Sequence, residues 1–274
     1  MSQAPEFNFG DDAVAKSYDE VIVPYLFHPW TSRLVAEHGP WDGRQVLDAA
    51  TGTGIVAQFI GERVGPDGQV VGADINPQML AAAERRCADL VPAVELVESP
   101  AYPLDVGDDS FDVVVCQQGL QFFPERDAAA REMFRVSRDS GKLVVSTWEP
   151  VSECRGVGVI CDALEEIGEP DIGDTMRVPF DHMPQDELVA HFECAGFAGI
   201  ELEQQKIDLV LDGGLEKAID LAYATPIGPQ LVALSKEQQE RFKSALIDRV
   251  AQQSNGATMM GRMVSNVLTA EKPA

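Results

Sequence analysis

The stretch Val46-Leu47-Asp48-Ala49-Ala50-Thr51-Gly52-Thr53-Gly54-Ile55-Val56-Ala57 constrains the fold of this chain more than any other. A short apolar run ends in an acid, passes through a loop of small residues and turns into a helical pattern. That is a strand, a tight turn and a helix start, the opening of a βαβ unit. Glycine tolerates positive φ and lets a ligand lie on the backbone where a side chain would hold it off. The helix that follows offers free N–H groups and the positive end of its dipole to whatever occupies the loop.

From Arg44 onward strands alternate with helices. The apolar runs are Val46–Asp48, Gly68–Asp74, Val94–Val97, Phe111–Cys116 and Lys142–Trp148, with helices from Thr53, from Pro77 and over Ala128–Ser137. Apart from Glu95 and Asp112 near their starts, the strands carry no interrupting charge, as expected when helices cover both faces of a parallel sheet. Gly65-Pro66-Asp67-Gly68 is expected to stop the first helix and Asp139-Ser140-Gly141 the last, while Asn76-Pro77 reads as a helix cap followed by proline in the first turn. The pattern predicts a Rossmann-like, doubly wound α/β sheet.

The flanking segments read differently. Ala13 to His38 is helical in pattern, broken at Pro24 and Pro29, with a dense aromatic cluster of Tyr18, Tyr25, Phe27 and Trp30. These aromatics read first as core packing, and alternatively as a segment folding over the mouth of a ligand site. After Trp148 an amphipathic helix over 151–169 ends at Gly168, followed by a Pro/Gly/Asp stretch and Met176 to Met183. A helix from Pro184 to Cys194 stops at Gly196. Phe197 to Leu211 alternates like a long strand, and helices near 215–224 and 236–253 precede a last strand near 262–269. One sheet domain is therefore expected over 1–274, with 1–40, 151–185 and 212–255 as helical cap and acceptor-pocket segments.

Composition narrows the partners. Forty-five acids against 21 Lys and Arg give a net charge of −24, which repels nucleic acid and anionic lipid. A solvated acidic face is the plain reading of that charge. Attraction of a cationic substrate is the sharper one. Five cysteines, at 87, 116, 154, 161 and 194, are odd in number and form no CxxC pair, which points to a reducing compartment and away from a structural zinc. No apolar run is long enough to cross a bilayer, and Met1 to Asp12 carries no apolar signal core, so a cytoplasmic protein without membrane insertion is expected.

In an open α/β sheet the ligand lies outside the carboxyl ends of the strands. That rule nominates Asp48, Asp74, Glu98-Ser99, Gln117-Gln118 and Trp148-Glu149. Asp74, roughly twenty residues beyond the glycines, is placed to accept ribose hydroxyls. Gly52-x-Gly54-x-x-Ala57 with Asp74 would also suit a nicotinamide dinucleotide. Three features favour another ligand. Asp48 just ahead of the loop opposes a pyrophosphate and suits a cationic ammonium group. Ile75 and Met79 place apolar surface where an adenine ring could lie. A long strand and a final strand follow the fifth, as for an antiparallel edge pair closing a seven-stranded sheet.

With these residues the sequence resembles the class I S-adenosylmethionine-dependent methyltransferases, of the type that includes the ubiquinone/menaquinone-biosynthesis enzymes (the methyltransferase type 11 branch). Its carriers are VLDAATGTG (46–54), GADINPQML (72–80), SFDVVVCQQGLQFFPE (110–125) and GKLVVSTW (141–148). The resemblance implies that Asp48, Ala50 and Gly52 line the methionine moiety, with Asp48 serving its ammonium group. It implies that Asp74 holds the ribose diol, Ile75 and Met79 meet adenine, Ser99 to Ala101 meet its edge, and Gln117 sits beside the sulfonium methyl. Tyr18 and Trp30 would close over the cofactor. The sequence departs from the pattern twice. Ala50 replaces the first glycine of the loop, and Ser99-Pro100 replaces the acid usual before Ala101.

The activity implied is methyl transfer to a small or medium-sized, apolar acceptor at oxygen, nitrogen or carbon, by in-line displacement. A base is needed only for an acceptor that must lose a proton. His28, His182, Tyr25, Tyr223 and Glu149 are the candidates for it, with His28 and His182 taken first. Partners are the small-molecule acceptor and a second copy in a homodimer, with no metal and no nucleic acid. A non-catalytic S-adenosylmethionine-binding protein and a nicotinamide-dependent reductase are the competing readings.

Overall fold

The computed structural model describes residues 12–181, 183–253 and 259–274. His182 and the amino-terminal residues read above for a signal segment, 1–11, lie outside them. Seven strands form: β1 (Gln45–Ala49), β2 (Gln69–Asp74), β3 (Glu95–Glu98), β4 (Phe111–Gln117), β5 (Ser137–Trp148), β6 (Ala198–Val210) and β7 (Met259–Glu271). They make one sheet in the order β3-β2-β1-β4-β5-β7-β6. β1 pairs in parallel with β2 on one side and β4 on the other, so the strand order reverses at its carboxyl end. β5 and β7 run antiparallel, since Ser140 N–H donates to Lys272 O and Glu149 N–H to Val264 O. The expected mixed seven-stranded sheet is the one found.

The chain divides into two compact units. The sheet unit comprises Trp30–Thr147, Met183–Gln205 and Ser265–Ala274. The helical unit comprises Met1–Pro29, Trp148–His182 and Lys206–Val264.

In the sheet unit, α2 (His28–His38, from Trp30 on), α3 (Ile55–Gly61), α4 (Pro77–Cys87), α5 (Arg126–Val136) and α8 (Gln185–Ala195) accompany the strands. Leu47, Val114, Leu143 and Val145 form a fully buried layer with Met133 of α5 and Leu188 and Phe192 of α8. Burying side chains of this size stabilises by about 1.5–3 kcal/mol each. The helix ends follow the sequence signals. Asn76 Oδ1 accepts from Gln78 and Met79 N–H at the start of α4, and Gly196, at φ 109°, closes α8.

The helical unit holds α1 (Asp12–Ser17), a π-helical turn pair (Tyr18–Phe27), α6 (Arg155–Glu166), α7 (Pro170–Arg177), α9 (Lys217–Ala224), α10 (Gly228–Ala233) and α11 (Lys236–Gln253). Three expectations are corrected. The chain is not broken at Pro24 and Pro29. Pro24 lies within the wider π-type turns, where His28 N–H reaches back five residues to Val23 O, and Pro29 falls in the first turn of α2, where its missing N–H is not needed. The Pro/Gly/Asp stretch after Gly168 is a helix, α7, because Pro170 occupies its first turn. Asp139-Ser140-Gly141 lies inside β5, at an irregularity in its pairing with β4, rather than stopping α5, which ends at Val136.

Gly54 shows how tightly the first βα turn is built. It begins α3 at φ 81°, and a Cβ there would lie 2.9 Å from Ala83 Cβ of α4. Gly54→Ala is expected to cost about 2–4 kcal/mol from left-handed strain and overpacking. Denaturant unfolding of Gly54→Ala, Ala83→Gly and the double variant checks this. The double variant should be more stable than the two single losses sum to.

Candidate functional site

The site grows from the carboxyl ends of β1, β2 and β4 in the sheet unit. Asp48 is 1% exposed and anchors the loop it precedes. Its Oδ2 accepts from Thr51 Oγ1 at 2.6 Å and from Ala57 N–H at 3.1 Å, so it also caps the first turn of α3. Oδ1 receives no hydrogen bond from the described residues. Burial pushes the carboxyl up to about 7, and the charge of Asp74 adds to that, against the pull of the Thr51 and Ala57 bonds.

Asp74, at the end of β2, holds the loop from the other side. Its Oδ2 accepts from Gly52 N–H at 2.8 Å and its Oδ1 from Asn76 N–H at 2.9 Å. Burial raises this carboxyl as well, opposed by those backbone bonds. Each oxygen keeps a lone pair for a further donor. Gly52 sits at φ 55° with open space where a Cβ would stand, so its backbone face is bare. Thr53, buried in the same loop, has an Oγ1 without a partner among the described residues.

Ile75 follows Asp74 and is 68% exposed, an apolar surface group beside a polar cradle, whereas Met79 is buried in the first turn of α4. Ser99 is buried and its hydroxyl is engaged locally, donating to Pro100 O and accepting from Asp105 N–H, both at 2.9 Å. Ala101 packs partly against the core. At the end of β4, Gln117 is paired with Thr31 of α2. Its Nε2 donates to Thr31 Oγ1 at 2.9 Å, and that hydroxyl approaches Oε1 at 3.3 Å.

Asp48, Ala50, Gly52, Asp74, Ile75, Met79, Ser99, Ala101, Gln117 and Trp30 all belong to the sheet unit. Tyr18 and His28 belong to the helical unit, where Tyr18 packs on Phe27 with ring centroids 5.5 Å apart and His28 is exposed at the start of α2. His182 lies outside the described residues. Sequence reasoning missed Thr31, Thr51 and Thr53. The Asp-x-x-Thr spacing of 48 and 51, which favours a local side-chain bond, was a usable signal for Thr51. Nothing local marked Thr31, whose partner lies 86 residues away.

Two acids and a bare glycine backbone at a switch point make a site for a cation bearing hydroxyls. Residues 46–141 match the Methyltransf_25 family, a methyltransferase domain. The ubiquinone/menaquinone biosynthesis C-methyltransferase UbiE of Stenotrophomonas maltophilia (strain K279a) is 32% identical over 204 residues, which cover 68% of this chain and 79% of that protein. The chain belongs to the class I S-adenosylmethionine-dependent methyltransferases. Several solved structures share its fold. A methyltransferase (BH2331) from Bacillus halodurans C-125 has a TM-score of 0.55 at 18% identity, covering 90% of this chain and 99% of its own. Phosphoethanolamine N-methyltransferase 2 of Haemonchus contortus, solved with phosphomonomethylethanolamine and S-adenosylhomocysteine, has a TM-score of 0.62 at 15% identity, covering 100% and 61%.

The cosubstrate of a methyltransferase of this class is S-adenosylmethionine, and the residues present fit it. Asp48 Oδ1 is an unclaimed acceptor for an ammonium group, Asp74 has capacity for a diol, and Ile75 offers apolar surface. The departure at Ala50 has a structural reason. Ala50 adopts φ 60°, and a Cβ on Gly119 would fall 2.7 Å from the Ala50 methyl. The methyl of Ala50 thus fills the space that Gly119 leaves, which offsets its left-handed strain of about 1 kcal/mol.

If Asp48 holds a cation, its raised carboxyl predicts a pH dependence. A cation would favour the carboxylate, so binding should release a proton below about pH 7 and affinity should rise with pH until it levels above that value. Calorimetry in buffers of different ionisation heat should show this release in the natural protein and none in Asp48→Asn, with affinity lowered at least about tenfold. The folded carboxyl also titrates above its unfolded value of 3.8, so its stabilising effect is lost as pH rises through about 7. Asp48→Asn should therefore melt no lower than the natural protein at pH 8. Gly52→Ala should cost only about 1 kcal/mol of stability, since only left-handed strain opposes it, yet weaken cofactor binding by covering the bare backbone.

Proposed function

We propose that this enzyme moves the methyl group of S-adenosylmethionine onto a small or medium-sized, apolar ring acceptor of the quinone-precursor class, with carbon as the first atom to test. The similarity to the UbiE C-methyltransferase over most of that protein's length carries the acceptor class. An aromatic series in the helical unit supports it. Tyr18 and Phe27 are half-buried and adjacent, Phe27 meets Trp148 edge-on at 6.2 Å, and Trp148 stacks on Phe180 at 6.0 Å. Such a set suits a flat ring. We assign acceptor selection to this unit, and Tyr18 to contact with the bound molecules.

In this reading Asp48 holds the ammonium group, Asp74 the ribose diol, Ile75 and Met79 the adenine ring, and the backbone at Ser99 and Ala101 its edge. Ala50 and Gly52 supply the loop face, and Trp30 backs the site. Gln117, fixed by Thr31, stands beside the reacting centre. When bound, the cosubstrate supplies a methyl group already activated on a positively charged sulfur. The protein's task is then alignment and exclusion of water rather than activation. His28 and His182 are the proposed bases for an acceptor that must lose a proton, the ring carbon of a phenol being such a case.

The test is an acceptor panel of demethylated quinols, phenols, amines, a protein mixture and RNA, followed by release of S-adenosylhomocysteine. The reading predicts release with a ring acceptor and a mass gain of one methyl on that acceptor. Turnover confined to protein or RNA, or no turnover with any acceptor, contradicts it. His28→Gln and His182→Gln should each leave cofactor affinity within about twofold, with the loss confined to kcat for the residue that acts as base.

A further inference from the structure

Beside Gln117 the sheet unit holds a small, partly open cavity whose free volume is about 10 Å³, what one water molecule needs. Trp30, Leu34 and Val267 supply its apolar wall, and His38, Gln117, Ser146 and Gln205, whose Nε2 donates to Glu37 Oε2, its polar wall. Two of those polar groups have an unmet need. Ser146 is buried and its Oγ has no partner among the described residues, and neither has the buried Nε2 of His38. Gln117 uses its amide on Thr31 alone among side chains, and one hydroxyl cannot satisfy two N–H donors and a carbonyl oxygen together.

The convergence of these groups follows from the fold. Gln117 and Ser146 are paired neighbours on β4 and β5, so their side chains leave the sheet on the same face. Thr31, Leu34 and His38 recur at helical spacing along one side of α2. Lys142 Nζ, also on β5, approaches His38 O at 3.4 Å and ties down the end of that helix. Burial and the charge of Lys142 hold the His38 imidazole below its usual range, against Glu37 and Glu203, which favours the neutral ring, and its Nε2 has no hydrogen-bond partner among the described residues.

We propose that this cavity is a buried hydration site, in which one water joins His38 Nε2, Ser146 Oγ and the Gln117 amide and so fixes the amide's orientation at the end of β4. A buried water with three polar partners is a fixed part of a structure, costly to remove. His38 and Ser146 are then positioning residues: neither touches the cofactor, and both act through Gln117. The proposal rests on the placement of Gln117 beside the sulfonium group given above.

Paired affinities for S-adenosylmethionine and S-adenosylhomocysteine test it, because only the former carries the charged methyl sulfur. In His38→Leu and Ser146→Ala the preference between the two should shift by about threefold to tenfold, with S-adenosylhomocysteine affinity unchanged within about twofold. His38→Gln, which returns a polar nitrogen to the same place, should restore the natural preference. A high-resolution crystal structure should show an ordered water between the three groups, lost in Ser146→Ala. Equal changes for both ligands, no change for either, or an empty cavity in that crystal structure overturns the proposal. If the natural protein binds neither nucleoside, the cofactor placement fails, and the crystal density alone decides the hydration site.

Discussion

Two carboxylates at the ends of adjacent strands hold the first βα turn, and the rest of the site depends on them. Asp74 reaches across from β2 to the Gly52 N–H at 2.8 Å, and Asp48 braces Thr51 and the first turn of α3 from below the same loop. Together with Thr51 N–H to Ala73 O and Gly54 N–H to Thr51 O, those bonds hold one shape in a loop of small residues with excursions to positive φ at Ala50, Gly52 and Gly54. Burying two acids side by side is unfavourable, and both carboxyls titrate above their ordinary range as a result. In the proposed reading, an ammonium group held by Asp48 would offset part of that penalty. On that reading, stability given up by the free protein would return as affinity for a positively charged ligand, the coupling expected where a structural bond and a binding group share one side chain.

This double use changes how Asp48 is read. A helix-capping acid and a ligand-binding acid are usually rival interpretations of one residue. Here Oδ2 performs the first role, and Oδ1 remains for the second. Gln117 repeats the arrangement one strand away, since Thr31 orients its amide without exhausting it. The reaction asks little of the protein beyond such placement, because an activated methyl group needs alignment more than it needs acid or base.

Much of the sheet unit was legible because local signals and tertiary structure agree there. Mainly apolar runs became parallel strands, Asn76-Pro77 capped α4, and Gly196 closed α8. The failures share a cause. Pro24, Pro170 and the Asp139-Ser140-Gly141 turn were read by their usual local meaning, whereas a π-type turn, a helix first turn and a strand irregularity accommodated them. Short α10 carries Gly228 and Pro229 and offers almost no periodicity to read. Within the site, Asp48 and Asp74 were visible from position alone. Thr31 was not, because what makes it matter is a contact across 86 residues of chain.

The most direct measurement of the central claim is a crystal structure with S-adenosylhomocysteine or S-adenosylmethionine bound. The account predicts the ligand's ammonium nitrogen and ribose hydroxyls within about 3 Å of carboxylate oxygens of Asp48 and Asp74, directly or through one water, with the Gly52 bond to Asp74 intact. A nucleoside bound elsewhere, or bound here with both carboxylates turned away from it, would contradict the account.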